Sequence, residues 1–295
     1  MSFSAKVKRE LSQLPASKCC AISESMGVLL YCNTFRRDLI RIVTENEDFS
    51  ILLPKLFRKA FGIGFDSLPQ SGGKRTFTIT DPEKISAIFE AFGYNPDREK
   101  VLNLNYSVFE DEACPIAFLR GAFLAGGSVT DPEKRYHLEL ATTHAKVSGE
   151  THALMLELDL EPKETGRSGS SVLYFKQSNA IEDFLTTVGA PVCAMAIMEA
   201  KVEKELVNGV NRRVNCETAN LSKVVDAAMN QMAAIRILRE KARFESLPLK
   251  LQEAALLRER NPEGTLEELS GMTDPPISKS AMSHRLRKLC ELSKE

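Results

Sequence analysis

The chain has 295 residues, 43% of them hydrophobic, with a formal net charge of −1. That length can build two domains with separate cores, and the charge balance argues against an indiscriminate polyanion binder. No apolar run approaches the roughly 20 residues of a membrane span, and the opening Met1-Ser-Phe-Ser-Ala-Lys6 has no signal-peptide core.

The seven cysteines (Cys19, Cys20, Cys32, Cys114, Cys193, Cys216 and Cys290) form no CxxC pair. Reduced thiols in a cytosolic protein are expected rather than a disulfide framework. Of the four histidines, His144 and His152 have the wrong spacing for an HExxH site. From spacing along the chain, no zinc site, other metal or cofactor is expected.

In chain order, Glu24-Ser-Met-Gly-Val-Leu-Leu-Tyr-Cys-Asn-Thr-Phe35 predicts an apolar helix with Gly27 in its middle. Arg37–Thr44 is rich in β-branched residues and predicts a strand. Ser50–Phe61 carries Leu52, Leu53, Leu56, Phe57 and Ala60 at helical spacing and closes on Gly62. Ser71-Gly-Gly-Lys74 predicts an exposed hairpin tip, and Thr76–Thr80 alternates with Phe77 and Ile79 on one face. Asp81-Pro82 then caps and opens a helix to about Phe92.

The most informative stretch follows: Phe118-Leu-Arg-Gly-Ala-Phe-Leu-Ala-Gly-Gly-Ser-Val-Thr-Asp-Pro132. Gly121 aligns with Gly27 at a separation of 121 − 27 = 94 residues. A mid-helix glycine costs roughly 1 kcal/mol relative to alanine, so it usually marks close packing. Beyond the turn Asp131–Lys134, Arg135–Thr142 predicts a strand with Tyr136, Leu138 and Leu140 on one face. Arg135, His137 and Glu139 take the other. A helix over Lys146–Leu158, a hairpin of 161–167 and 172–177 about Ser168-Gly-Ser170, and a helix from Ser178-Asn179 through Val188 complete a second copy.

Leu119–Gly127 resembles the helix of LAGLIDADG proteins, in which two such helices pack side by side. An acid before the final glycine there holds a catalytic metal. Gly126 stands at that acid's position and Cys32 at its counterpart in the first copy. Glycine has no side-chain ligand, and a thiol is a poor ligand for a hard cation. The resemblance implies an α+β fold of two half-domains, about 1–96 and 97–190, whose two four-stranded sheets form a saddle along DNA. Outward candidates for phosphate contact are Arg37, Arg41, Arg135, His137, Arg167, Tyr174 and Lys176. Exposed strand faces are charged for other reasons too, since Lys and Arg on edges block aggregation.

From Pro191 the pattern is helical. Helices are predicted over Pro191–Asn208 and Asn220–Lys241, broken at Gly209–Asn215. The basic turn Arg212-Arg213 through Asn220 either contacts DNA or caps the two helix ends, and the sequence leaves both open. A helix over Pro248–Arg260 stops at Asn261-Pro262. Thr265 and Glu268 form a capping box for a short helix to Met272, and Ser278–Leu289 follows with Met282, Leu286 and Leu289 inward.

Residues 201–295 carry 17 Lys+Arg against 14 Asp+Glu, whereas residues 1–200 carry 22 against 26. Between Pro275 and Cys290 the charges are Lys279, Arg285, Arg287 and Lys288, with no acid to pair them. A short acidic helix, a turn and a basic helix make a helix-turn-helix pattern. Ser278, Lys279, Ser280 and Ser283 are then placed to enter the major groove, with His284, Arg285, Arg287 and Lys288 beside phosphates.

Phe118–Glu139, Val214–Asp226 and Asp274–Leu289 together resemble the WhiA family of bacterial sporulation and cell-division regulators, over nearly the full chain. That implies a degenerate LAGLIDADG domain at 1–190, a helical linker at 191–215 and a sigma-region-4-like helix-turn-helix domain at 216–295. It further implies a cytoplasmic, nucleoid-associated transcription regulator of sporulation, division or chromosome segregation. Its expected partners are double-stranded promoter DNA and, as an alternative, RNA polymerase or another transcription factor; no membrane is involved. Relatives have small residues where this chain has Tyr31-Cys32-Asn33-Thr34. An adaptor that binds mainly protein, or an active endonuclease, are the competing functions. A monomer satisfies the fold, because the two-fold symmetry lies within one chain.

Overall fold

The computed structural model describes residues 1–67, 69, 73–94 and 101–294. Its contacts divide the chain into two units, Met1–Lys204 and Glu205–Glu295. The first begins with α1 (Phe3–Leu11), α2 (Lys18–Leu30), β1 (Thr34–Phe35), β2 (Ile40–Thr44), α3 (Glu47–Phe61), β3 (Arg75–Ile79) and α4 (Pro82–Ala91). After a 3-10 turn at Tyr106–Val108 come α5 (Ala113–Gly126), β4 (Gly127–Val129), β5 (Leu138–Thr142), α6 (Ala145–Glu157), β6 (Lys163–Arg167), β7 (Ser170–Phe175) and α7 (Ser178–Val188).

The helices α2 and α5 pack directly on each other, and the reason is reciprocal. A Cβ on Gly27 would lie 2.1 Å from the Phe118 carbonyl oxygen and 2.7 Å from the Ala122 nitrogen. One on Gly121 would lie 1.9 Å from the Glu24 carbonyl oxygen and 3.0 Å from the Val28 nitrogen. Each glycine thus meets the residue three before and one after the other, the signature of a pseudo-two-fold axis between the helices. The sheets flank this pair. Among the described residues the first runs β1-β2-β3 and the second β4-β5-β7-β6, all neighbours antiparallel.

The inward rows are Ile40, Ile42, Phe77 and Ile79 in one sheet and Leu138, Leu140, Leu173 and Phe175 in the other, all buried. They join both halves in one core. The β6–β7 turn uses Ser168 and Gly169, both at positive φ (49° and 81°), as a two-residue hairpin whose twist matches its strands requires.

Several expectations change. Among the described residues the first sheet has three strands rather than four, with Ser67 forming a single bridge to Thr78. The strand predicted from Arg37 starts at Ile40; mutual hydrogen bonds between Arg36 and Leu39 put Arg37 at a hairpin tip. The strand predicted from Arg135 starts at Leu138, and Tyr136 packs on the core before it. Of the expected tip Ser71–Lys74, Ser71 and Gly72 lie outside the described residues. The helix α1, which the short segment did not announce, holds Val7 and Leu11 in the core. Its Glu10 carboxylate accepts from the Val192 and Cys193 N–H groups at 2.8 and 3.0 Å, capping the next helix.

That next helix, α8 (Pro191–Glu240), is the largest correction: it runs through Gly209–Asn215 without a break. Among residues 192–247 there is no proline. One glycine costs about 1 kcal/mol, which cooperative propagation from both sides outweighs. Arg212 and Arg213 are therefore exposed helical residues, not turn residues. The second unit continues with a 3-10 turn at Phe244–Ser246, α9 (Leu249–Arg260), α10 (Leu266–Gly271) and α11 (Lys279–Leu292) around Ile235, Leu238, Phe244, Leu269, Met282, Leu286 and Leu289.

Inside the first unit, Glu24 on α2 is 3% exposed, with its carboxylate 3.6 Å from Arg120 on α5. Burial pushes the Glu24 carboxyl up to about 7, although the Arg120 charge opposes the rise. A carboxyl raised in the folded state stabilises most below its unfolded value, and that contribution is lost as pH climbs towards about 7. The stability of the wild type relative to Glu24→Gln should therefore fall between about pH 4.5 and 7 and stay flat above. Unfolding midpoints of the two proteins across that range test it; a parallel pair of curves would refute the shift.

Candidate nucleic-acid interface

Three surfaces carry the candidate residues other than Arg212 and Arg213, which are exposed on α8. At the C-terminal ends of α2 and α5, neither nuclease position offers an oxygen ligand. A Cβ on Gly126 would lie 2.5 Å from the Ala141 carbonyl oxygen and 3.0 Å from the Tyr31 ring, so the backbone itself fills the place of a side chain. Cys32 is half-buried, its thiol 3.3 Å from the Thr34 carbonyl, and desolvation pushes it up to about 12. Thr142 donates to the Leu30 carbonyl at 2.8 Å, tying β5 to the end of α2. Nearby, the Lys8 ammonium donates to the Leu124 carbonyl at 3.0 Å, and burial lowers it to about 8. The sequence reading missed Lys8, whose partner is 116 residues away.

The second surface is the outward face of the two sheets. Register puts Ser128, Glu139, Tyr174 and Lys163 in one row across the second sheet. Glu139 takes His137 Nε2 at 3.2 Å and Arg167 at 4.0 Å. Lys176 is exposed with its ammonium 5.0 Å from the Tyr174 ring centre, a cation–π contact that leaves it facing solvent. Lys163 belongs to this face although the sequence reading omitted it; it sits at the start of an edge strand too polar to show alternation. On the first sheet Arg41 is exposed, paired across the strands with Thr34 and Thr78. Arg37 and Arg135 lie on turns outside the strands, both exposed.

The third surface is α11. Thr265 and Glu268 form the capping box of α10, with hydrogen bonds of 3.2 and 2.7 Å. Ser278 caps α11, its hydroxyl accepting from the Ala281 N–H at 3.2 Å. Met282, Leu286 and Leu289 are wholly buried, which fixes the helix phase. At 100° per residue, Ser280, His284, Arg287 and Lys288 then share the opposite face, with Ser283 at its side and Lys279 nearer the buried row. All six are exposed.

Arg285 differs. It reaches Glu253 on α9 at 2.9 Å with its side chain only 16% exposed, so it ties α11 to α9 instead of facing outward. The expectation that this helix lacks acidic partners is also corrected. Lys279 meets Glu267 at 3.8 Å, while Arg287 and Lys288 meet Glu291 at 3.8 and 3.2 Å. These last pairs are surface pairs worth little, and a phosphate can displace them.

A family model for the WhiA C-terminal HTH domain matches residues 210–293, and one for the WhiA LAGLIDADG-like domain matches residues 116–207. Curated relatives named probable cell division protein WhiA align over their length. The one from Clostridium novyi is 36% identical, covering 100% of this chain and 98% of its own. That from Clostridium botulinum strain Hall is 33% identical with the same coverage. The chain belongs to the WhiA family. The crystal structure of full-length DUF199/WhiA from Thermotoga maritima, 24% identical, matches with a TM-score of 0.60 over 100% of this chain and 98% of that one. It supports the fold: a LAGLIDADG-type domain followed by a helical helix-turn-helix domain.

In this WhiA-family chain the fold also assembles a group that spacing along the sequence could not reveal. Cys19 and Cys20 at the start of α2 meet Asp111 and Cys114 at the start of α5, with all four ligand atoms within 4.8 Å of one another. Among the described residues, no helix is long and apolar enough to cross a membrane.

Proposed function

We propose that this protein is a non-enzymatic, sequence-specific DNA-binding regulator of bacterial sporulation, cell division or chromosome segregation. The observation that carries the reading is the outward face of α11: Ser280, His284, Arg287 and Lys288 exposed together, with Ser283 beside them, on the second helix of a helix-turn-helix. Ser278, Lys279, Ser280 and Ser283 read base edges in the major groove, while His284, Arg287 and Lys288 engage the flanking phosphates. Arg285 acts by holding α11 on α9. Arg37, Arg41, Arg135, Lys176, Arg212 and Arg213 add phosphate contacts of secondary weight, with promoter regions as the DNA partner.

Nuclease chemistry has no support at the helix ends. Gly126 and Cys32 supply no hard oxygen ligand, and the packing of Gly126 against Ala141 leaves no space for an acid. A transcription-machinery adaptor is the second reading, favoured by the apolar row Val207, Val210, Val214, Leu221 and Val224 exposed along α8.

The test is to incubate the protein with sheared genomic DNA from its own organism, in EDTA and in Mg²⁺, and sequence what is retained. Intact fragments sharing a motif in both conditions are expected, with affinity falling steeply as salt rises. New fixed ends that appear only in Mg²⁺ would overturn the non-nuclease assignment. Retention of nothing would move the function to a protein partner.

A further inference from the structure

We infer that Cys19, Cys20, Asp111 and Cys114 form a tetrahedral binding site for a borderline-soft divalent cation, Zn²⁺ by preference, clamping the N-terminal ends of α2 and α5. The ligand set is complete on geometry alone. The four atoms lie within 4.8 Å of one another, and Asp111 oxygens are 3.2 Å from Cys19 Sγ and 3.9 Å from Cys20 Sγ. Zn–S bonds of about 2.3 Å and Zn–O bonds of about 2.0–2.2 Å give tetrahedral edges of roughly 3.5–3.8 Å. Small side-chain rotations bring the group to that spacing.

The site obeys the same pseudo-two-fold axis as the glycines. Cys20 and Cys114 differ by 114 − 20 = 94 residues, the offset of Gly27 and Gly121, so the two thiols face each other across the helix pair. Ser17 and Asp111 share the offset, 111 − 17 = 94, and each accepts from backbone N–H groups at the start of its helix. The Ser17 hydroxyl accepts from the Cys20 N–H at 3.1 Å, and Asp111 Oδ1 accepts from the Ala113 and Cys114 N–H groups at 2.9 and 3.0 Å. Those bonds orient Asp111 and leave its Oδ2 towards Cys19, as outer contacts do at metal sites.

The chemistry selects the cation. Three sulfurs and one oxygen suit Zn²⁺ and disfavour Mg²⁺. A disulfide between Cys20 and Cys114 would account for only two of the four groups and leave Cys19 and Asp111 without a role. All four ligands come from the chain, so the cation is structural. It also lies at the opposite end of α2 from Cys32, some 18 Å along a 13-residue helix. The site therefore owes nothing to the nuclease ancestry of the other end, and does not depend on the DNA-binding reading.

The experiment uses the full chain, reduced and stripped with EDTA, then titrated with Zn²⁺ and, as a spectroscopic probe, Co²⁺. The expected result is one ion per chain and a Co²⁺ spectrum with intense thiolate charge transfer and tetrahedral d–d bands. A rise in unfolding midpoint of at least about 5 °C should accompany Zn²⁺. Cys114→Ser should abolish these signals. Because Cys114 is wholly buried, the more accessible Cys19→Ser and Asp111→Asn variants carry the test if that protein does not fold. Each should weaken Co²⁺ by at least about 100-fold, while Cys216→Ser, on α8, binds as the wild type. Less than about 0.1 ion per chain, an octahedral Co²⁺ spectrum without thiolate bands, or unchanged binding by Cys19→Ser and Asp111→Asn would overturn the site. So would a Cys20–Cys114 crosslink in the protein as purified.

Discussion

Gly121→Ala is expected to destabilise the first unit by about 3 kcal/mol or more, whereas Gly149→Ala stabilises it by about 0.5–1 kcal/mol. Both positions are helical glycines, and both substitutions add one methyl group. At Gly121 the new carbon would lie 1.9 Å from the Glu24 carbonyl oxygen. An ordinary C···O contact is about 3.3 Å, so α2 and α5 must part by more than about 1 Å. The obstacle is backbone, which no rotamer change relieves. Parting the helices also loosens the buried Glu24–Arg120 pair and opens the core that both halves share. At Gly149, in α6, nothing lies within 4 Å of the added carbon, and alanine gains only from the smaller entropy it loses on folding. Urea unfolding of the full chain followed by circular dichroism checks the pair. Equal effects of the two substitutions would mean that α2 and α5 do not meet as described.

How far the chain could be read in advance follows from where each partner lies. The helix pair was legible because two glycines recur at one offset and each is followed by the same order of elements. The inward residues of α11 were legible because Met282, Leu286 and Leu289 repeat at helical spacing. By contrast, the charge of α11 was misread because its balancing acids fall outside Pro275–Cys290: Glu291 follows directly on the same helix, and Glu253 is 32 residues from Arg285. The Cys19, Cys20, Asp111 and Cys114 group escaped the search for CxxC for the same reason, since its halves come from two helices that only the pseudo-symmetry unites. The break expected at Gly209–Asn215 failed differently. Local preference there is weak, and nothing within 4 Å of Gly209 demands a glycine, so the flanking helix continues through.

These distinctions separate two arginines of the second unit that composition cannot tell apart. Arg258→Met should destabilise that unit by about 3 kcal/mol or more and abolish DNA binding with it. Arg258 is 3% exposed. Nε donates to Gln231 at 2.9 Å, and Nη1 reaches the Gly264 carbonyl at 2.6 Å and the Pro262 and Asn261 carbonyls at 3.3 and 3.4 Å. One side chain thus holds the turn between α9 and α10 and pins it to α8. Methionine matches its bulk and leaves those acceptors without a donor. Arg287→Ala, by contrast, should change stability by no more than about 0.5 kcal/mol, because its contact with Glu291 is exposed on both sides. In the proposed reading it lowers affinity about 10-fold on every sequence and reduces the salt slope, as loss of a phosphate contact must. Ser280→Ala should instead change which sequences are preferred. Unfolding curves and affinities measured at one salt concentration, on the retained motif and on scrambled DNA, resolve all three variants. If Arg287→Ala unfolded the unit, or if Ser280→Ala and Arg287→Ala altered all sequences alike, α11 would not be the helix that reads DNA.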